Sequence, residues 1–486
     1  MALLSIGAAQ VLMMLVALGR AKILSVLLGP GGYGVVATVD QTVVSLVQLG
    51  GLSLPLAAMK FMARGHSEGE PAFRTAFATF LRAITMLSLC AVAAALALLF
   101  LFPTIFGADV AAIRGYFFIA LLAVPATMLN ILFVHTLAAA QKNAASAWLN
   151  MLVLLALAVA AVVGVLIGGI GGLYVGSVTM GIVASVVTLQ YLRARLSVPV
   201  LSGGSGLRDA LRRQPEILRY SLLLYSALAS YSLMMLATRY FVFNELGAAG
   251  AGLLQSLIGV ALTLAAVPNA VSTLYLAPHV NRLAPSQEKV ASANEFARGV
   301  LLFLAAAGVG VALFPQLVLT LLFSPEFATA APALVAFVLW QCLHQALNVY
   351  SQVLIGIDDV AGYAVITGAG YVAAALLFPT LVVRFGLAGA GLALSAGMLG
   401  ALFAVVLRLR VRAAATMSGD VLLRTVATIG FIVTAYMFFD LESESRPEGI
   451  VARVGYALVA AAVLGLMLSR AERKRLLALF RRREPR

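Results

Sequence analysis

The chain alternates long apolar runs with short polar breaks. A membrane-crossing helix needs about 20 mostly apolar residues. Fourteen runs reach that length, near 3–27, 34–60, 75–102, 112–139, 144–167, 171–193, 217–242, 248–280, 297–322, 330–356, 361–383, 387–409, 421–440 and 450–469. Barrel strands are shorter and alternate, so runs this long and continuous predict helices. The expected fold class is all-α: a polytopic membrane protein with fourteen transmembrane helices. Pro55, Pro125 and Pro268 interrupt the second, fourth and eighth runs and mark candidate kinks or hinges.

The runs repeat. Leu28-Gly29-Pro30-Gly31-Gly32-Tyr33-Gly34 returns as Leu246-Gly247-Ala248-Ala249-Gly250-Ala251-Gly252, 218 positions later. Gly169-Ile170-Gly171-Gly172 returns as Gly386-Leu387-Ala388-Gly389, 217 later, and Arg193 returns as Arg410 at the same offset. Phe102-Pro103 and Phe314-Pro315 fall at corresponding helix ends, offset by 212. The pattern predicts an N-lobe of six helices over 1–194, a Gly/Arg-rich cytoplasmic linker over 195–216 and a matching C-lobe over 217–412. Two further helices over 413–470 and a basic cytoplasmic tail over 471–486 complete it. An even number of crossings per lobe gives both lobes the same orientation, with a symmetry axis along the membrane normal and a cavity between them.

Composition agrees: of 486 residues, 62% are hydrophobic and 11% charged, which excludes a water-soluble enzyme. The net charge of +14 would suggest nucleic acid in a soluble chain. Here membrane topology accounts for it. With the N-terminus inside, 26 of the 33 Lys and Arg fall on the inner side and 4 (Arg114, Arg384, Arg446, Arg453) outside, as cytoplasmic loops require. Both termini are then cytoplasmic and no nucleic-acid partner is expected. No loop has room for a nucleotide-binding or glycosyltransferase domain, and no GxxxxGK[ST] loop is present. Cys90 and Cys342 support neither a disulfide framework nor a metal site. The tail, with Leu476, Leu477 and Phe480 among its cations, reads as an interfacial segment on anionic lipid.

Charges inside spans are costly and commonly face a cavity or a partner. The cations are Arg20, Lys22 and Arg239, with Arg20 and Arg239 at near-equivalent places in the two lobes. Arginine forks suit a pyrophosphate; the alternative is snorkelling to the interface. Asp40 is the one acid in the interior of a run. It is a candidate for H⁺ or Na⁺ coupling, or a partner for Arg20 or Lys22. Asn130, Gln141, Gln255, Asn269, Gln341, Gln345 and Asn348 are candidates for sugar hydroxyls or for helix–helix hydrogen bonding. The Asp358-Asp359 pair is expected to be solvated in a cytoplasmic turn.

A first span with a late Arg, then Leu27-Leu28-Gly29-Pro30-Gly31-Gly32-Tyr33-Gly34, resembles the polysaccharide transporter branch of the multidrug/oligosaccharidyl-lipid/polysaccharide flippase superfamily. The second copy lacks the Pro and Tyr, having Ala248-Ala249 after Gly247. The resemblance implies a bacterial inner-membrane flippase and no enzyme. It would carry undecaprenyl-pyrophosphate-linked oligosaccharide outward by alternating access, for O-antigen, exopolysaccharide or capsule synthesis. Its partners would be that lipid-linked substrate, membrane lipids and the polymerase and glycosyltransferase machinery. A lipid II flippase and a cation-coupled multidrug exporter are the alternatives. The exporter is disfavoured because it would want several acids in its cavity.

Overall fold

The computed structural model describes residues 2–52, 54–102, 107–196, 198, 215–439, 444 and 446–468. Most of the predicted linker (197, 199–214) and the basic tail (471–486) lie outside them. Among the described residues the regular elements are all helical, and ten helices are long and apolar enough to cross a membrane. Four of these are far longer than one crossing: α1 (Ala2–Gly50), α7 (Asn143–Leu196), α8 (Pro215–Val271) and α13 (Val360–Ala413). Each folds back on itself at a glycine with positive φ: Gly29 (φ 61°, ψ −177°), Gly169 (58°, −145°), Gly247 (70°, −178°) and Gly386 (56°, −139°). Extended ψ at positive φ is open essentially to glycine alone. With two arms per hairpin, the ten helices make fourteen crossings. The four hinge glycines are the repeated glycines of the sequence.

The hairpin arms touch closely. A Cβ at Gly172 would lie 2.1 Å from the Gly164 carbonyl oxygen, and one at Gly389 would lie 1.9 Å from that of Leu381. Arg20 and Asp40, twenty positions apart on α1, are joined at 3.0 Å, whereas an unbroken helix would separate them by about 30 Å.

The remaining crossings carry the expected breaks. The second crossing pauses after Gly50 and resumes as α2 (Leu54–Glu68) around Pro55. It is followed by α3 (Glu70–Leu101). The fourth crossing is made of α4 (Ala108–Ala112), α5 (Arg114–Ala120) and α6 (Ala123–Ala139), interrupted just ahead of Pro125. After Pro268, α8 passes into a single π-turn over Ser272–Leu276 and then α9 (Ala277–Arg282). π-Turns form where a helix ladder slips by one residue. The run near 297–322 is corrected. One helix, α10 (Ser286–Leu313), starts earlier and stops at Phe314, and Pro315 opens a separate short helix, α11 (Pro315–Leu322). Proline disfavours the helical region for the residue before it, and Phe314 (φ −129°) and Phe102 (φ −131°) leave it in the same way. A 3₁₀ segment, Pro325–Ala330, leads to α12 (Ala331–Gly356), followed by α13, then α14 (Gly419–Phe438) and α15 (Pro447–Leu466).

Large apolar side chains such as Ile167, Leu376 and Phe403 stand exposed on the outside of the bundle, as a hydrocarbon solvent requires. Basic residues assigned to the inner side gather at one set of helix ends. Arg298 pairs with Asp420 at 2.8 Å, and Lys142 donates to the Arg195 carbonyl at 3.4 Å. The turn at Asp359 is also there, and its expected solvation is corrected. Asp359 is held by both arms of the Arg408 fork, at 2.7 and 3.1 Å, and accepts from the Gly362 N–H to cap α13. Its carboxyl is held below the usual range, chiefly by the Arg408 hydrogen bonds. At the opposite ends, Arg453 is buried rather than lying in an open loop. It donates to the Leu313 carbonyl and lies 3.9 Å from Glu444, which caps α11 through Leu317 N–H at 2.7 Å.

Hairpins α1 and α8 pack against each other. Tyr225 donates to the Leu49 carbonyl at 2.9 Å, Ser45 to the Ser232 carbonyl at 3.4 Å, and Thr42 meets Tyr240 at 2.8 Å. Near the hairpin tips the backbones cross almost in contact: a Cβ at Gly34 would lie 1.8 Å from the Ala248 carbonyl oxygen, and one at Gly252 would lie 1.9 Å from that of Pro30. This crossing brings the two span arginines near one another.

Candidate functional site

Arg20 is nine residues before the Gly29 tip and Arg239 eight before Gly247. Each is therefore about 12–14 Å below its tip, near the middle of a crossing. From there neither resembles a snorkelling side chain. Arg20 binds Asp40 through one nitrogen, and both side chains keep about a third of their surface accessible (32% and 35%). The other Asp40 oxygen is 3.3 Å from the Tyr174 hydroxyl, which also donates to the Val36 carbonyl at 3.1 Å. Asp40 is thus the partner of Arg20, one of the two roles its sequence position suggests. Tyr174, on the second arm of α7, was not singled out by sequence. Its signal is a polar ring tip following Gly171-Gly172-Leu173 in an otherwise apolar run.

Arg239 is different. Only 3% of it is exposed. One nitrogen bonds the Gln255 side-chain oxygen on the other arm of its own hairpin, while its Nε and Nη1 are buried without a hydrogen-bond partner. Tyr33 lies within electrostatic reach of both arginines and of Asp40, and interacts with the Gln255 side chain. Its ring packs edge-on against Phe327, at 5.7 Å between centroids. Tyr231 also lies in the field of Arg239.

Lys22 stands apart. Its ammonium donates to the Thr320 carbonyl at 2.8 Å, in the last turn of α11, where a cation also meets the negative end of the helix dipole. The structure joins Arg20, Asp40 and Arg239 in one neighbourhood and turns Lys22 to a different task.

Two guanidiniums against one carboxylate leave the cluster with one positive charge in excess. Leaving a buried guanidinium half-satisfied costs several kcal/mol. The arrangement suits an anion able to accept from several N–H donors, such as a phosphate or pyrophosphate. Among the described residues no group of three or more His, Cys, Asp or Glu could hold a metal ion.

No protein-family model and no curated protein matches the sequence. Solved structures do. A lipid II flippase MurJ in an inward closed conformation superposes with a TM-score of 0.69 at 11% identity, covering 94% of this chain and 98% of its own. An inward-facing multidrug resistance MATE family transporter of the MOP superfamily gives 0.63 at 17%, covering 83% and 94%. A MOP superfamily transporter from Pyrococcus furiosus, for which a binding pocket of reverse polarity suggests a different function, gives 0.56 at 18%, covering 85% and 96%. The chain therefore has the fold of these membrane transporters.

Proposed function

We propose that the chain is a flippase for lipid-linked glycans, of the polysaccharide transporter branch of the MOP superfamily. It would move undecaprenyl-pyrophosphate-linked oligosaccharide from the inner to the outer leaflet of the bacterial cytoplasmic membrane, both termini in the cytoplasm, for O-antigen, exopolysaccharide or capsule synthesis. The observation that carries this reading is the buried, half-satisfied guanidinium of Arg239 beside Arg20 in a transporter fold. In this reading Arg239 and Arg20 hold the pyrophosphate, the sugars would occupy a space opened between the lobes, and the prenyl chain stays in lipid. Asp40 occupies Arg20 in the empty carrier. A pyrophosphate competes with it, and protonation or a Na⁺ ion at Asp40 would free Arg20 and couple transport to an ion gradient. No covalent step is needed. Polymerases and glycosyltransferases are the expected neighbours in the pathway.

A lipid II flippase is the second reading, favoured by the near-complete superposition on MurJ. A drug exporter is less favoured, because Asp40, the acid beside the two arginines, is already paired with Arg20.

The test is a deletion strain carrying Arg239→Gln or Arg20→Gln. Both should accumulate prenyl-linked intermediates and lose surface glycan at normal protein abundance. The saccharide that accumulates separates the two flippase readings. Normal surface glycan in both variants would remove the arginines as head-group ligands.

A further inference from the structure

Helix α12 is apolar except along one stripe. Gln341, His344, Gln345, Asn348 and Gln352 recur at intervals of three and four, which places all five on one face about a third of the circumference wide. Such a stripe usually serves as glue between helices, each amide bonded to a neighbour. Part of it does so: Asn348 donates to Asn269 of α8 at 3.3 Å, and His344 meets the Tyr371 hydroxyl of α13 at 3.3 Å. The rest does not. Both polar atoms of Gln341 are buried without a partner, as are Gln345 Nε2 and His344 Nδ1, although Gln341 and Gln345 are each only 1% exposed. Buried amides left unbonded are costly, and a row of them amounts to unfilled donor and acceptor sites. The stripe carries no formal charge apart from a histidine, and His344, Asn348 and Gln352 are each partly accessible, one per turn toward the inner end.

The stripe also begins where the arginine cluster ends. Tyr231 lies in the field of Arg239, its ring packs on Tyr371 at 5.2 Å, and Tyr371 reaches His344. From Gln341 to Gln352 the helix then rises about 16 Å toward the inner end of the bundle. We infer that this face of α12 is the subsite for the sugar residues next to the pyrophosphate, a neutral ladder of amide donors and acceptors for sugar hydroxyls. The inference rests on the flippase reading and adds where the glycan lies and that its recognition is uncharged.

The experiment uses the full-length chain in membranes of its own host, deleted for the chromosomal copy and labelled with ³²P-phosphate. The photo-crosslinker p-benzoylphenylalanine replaces Asn348, Tyr231 or, as a lipid-facing control, Leu376. Mild acid splits a sugar–pyrophosphate bond but leaves phospholipid adducts intact. Acid-labile ³²P adducts are expected at Asn348 and Tyr231, and none at Leu376. A labile adduct at Tyr231 without one at Asn348 overturns the subsite and leaves the flippase reading standing. Labile adducts at neither position overturn both. In parallel, Gln341→Leu removes no existing hydrogen bond, so thermal stability should be kept or raised while glycan export falls at least tenfold. Undiminished export by that variant would equally overturn the subsite.

Discussion

The crossing of α1 over α8 yields a quantitative prediction. A Cβ at Gly34 would lie 1.8 Å from the Ala248 carbonyl oxygen and 2.6 Å from the Gly252 nitrogen. Ordinary contact begins near 3.4 Å, so Gly34→Ala must part the two backbones locally by about 1.6 Å. The obstacle is backbone, and no side-chain rotation relieves it. Overpacking of this kind costs about 1–3 kcal/mol, charged only to the conformation in which the hairpin tips touch. If the lobes alternate, the state with parted tips gains about 5- to 160-fold in relative population. The assay is outside labelling of a Thr38→Cys reporter, fully buried one turn below the crossing, with Cys90 and Cys342 replaced by alanine. An impermeant maleimide applied to whole cells should react at least fivefold faster in the Gly34→Ala background. Gly31→Ala, whose added Cβ would meet nothing within 4 Å, is the control and should leave the rate unchanged. Equal labelling rates in the Gly34→Ala, Gly31→Ala and parent proteins would refute the reasoning.

Three further outcomes are expected. Gly247→Ala forces a Cβ into a positive-φ, extended-ψ hinge at a cost of about 1–3 kcal/mol, so the detergent-solubilised protein should melt a few degrees lower. Arg453→Leu leaves the Leu313 carbonyl and the Glu444 carboxylate without their buried cation. Removing one partner of a buried pair costs about 3–5 kcal/mol, and a thermal-unfolding scan should show a larger loss than for Gly247→Ala. The Asp359 carboxyl is depressed by Arg408 in the folded state, so its contribution is complete above its ordinary value of 3.8 and is lost as pH falls through the lower folded value. Asp359→Asn should be less stable than the parent at pH ~6, and the gap should narrow toward pH ~3.

Much of the architecture was legible in the linear chain because membrane folding imposes a one-dimensional rule. Every backbone group in lipid must be bonded within its own segment, so length and apolarity alone mark the crossings. The same holds for the hinges: Gly29, Gly169, Gly247 and Gly386 recur at nearly constant offsets because a backbone state open only to glycine is needed twice in each half. Phe314-Pro315 reads as a helix end, yet apolarity continues across it to 322, and only the backbone geometry interrupts the run.

Partner choice was not legible. Arg20, Lys22 and Arg239 look alike as cations in apolar runs. Rotation of each helix about its axis, set by packing with distant segments, turns Lys22 toward Thr320 and Arg20 toward Asp40 and leaves Arg239 half-satisfied beside Gln255. Tyr174 enters the site only because the α7 hairpin returns it beside the second arm of α1. In the same way, Gln341 and Gln345 are polar letters in any reading, and three-dimensional packing alone leaves them buried without partners. Sequence determines which segments enter the membrane and where they turn, because both depend on local chemistry. Which polar groups meet depends on contacts between segments hundreds of residues apart, and the tertiary structure decides it.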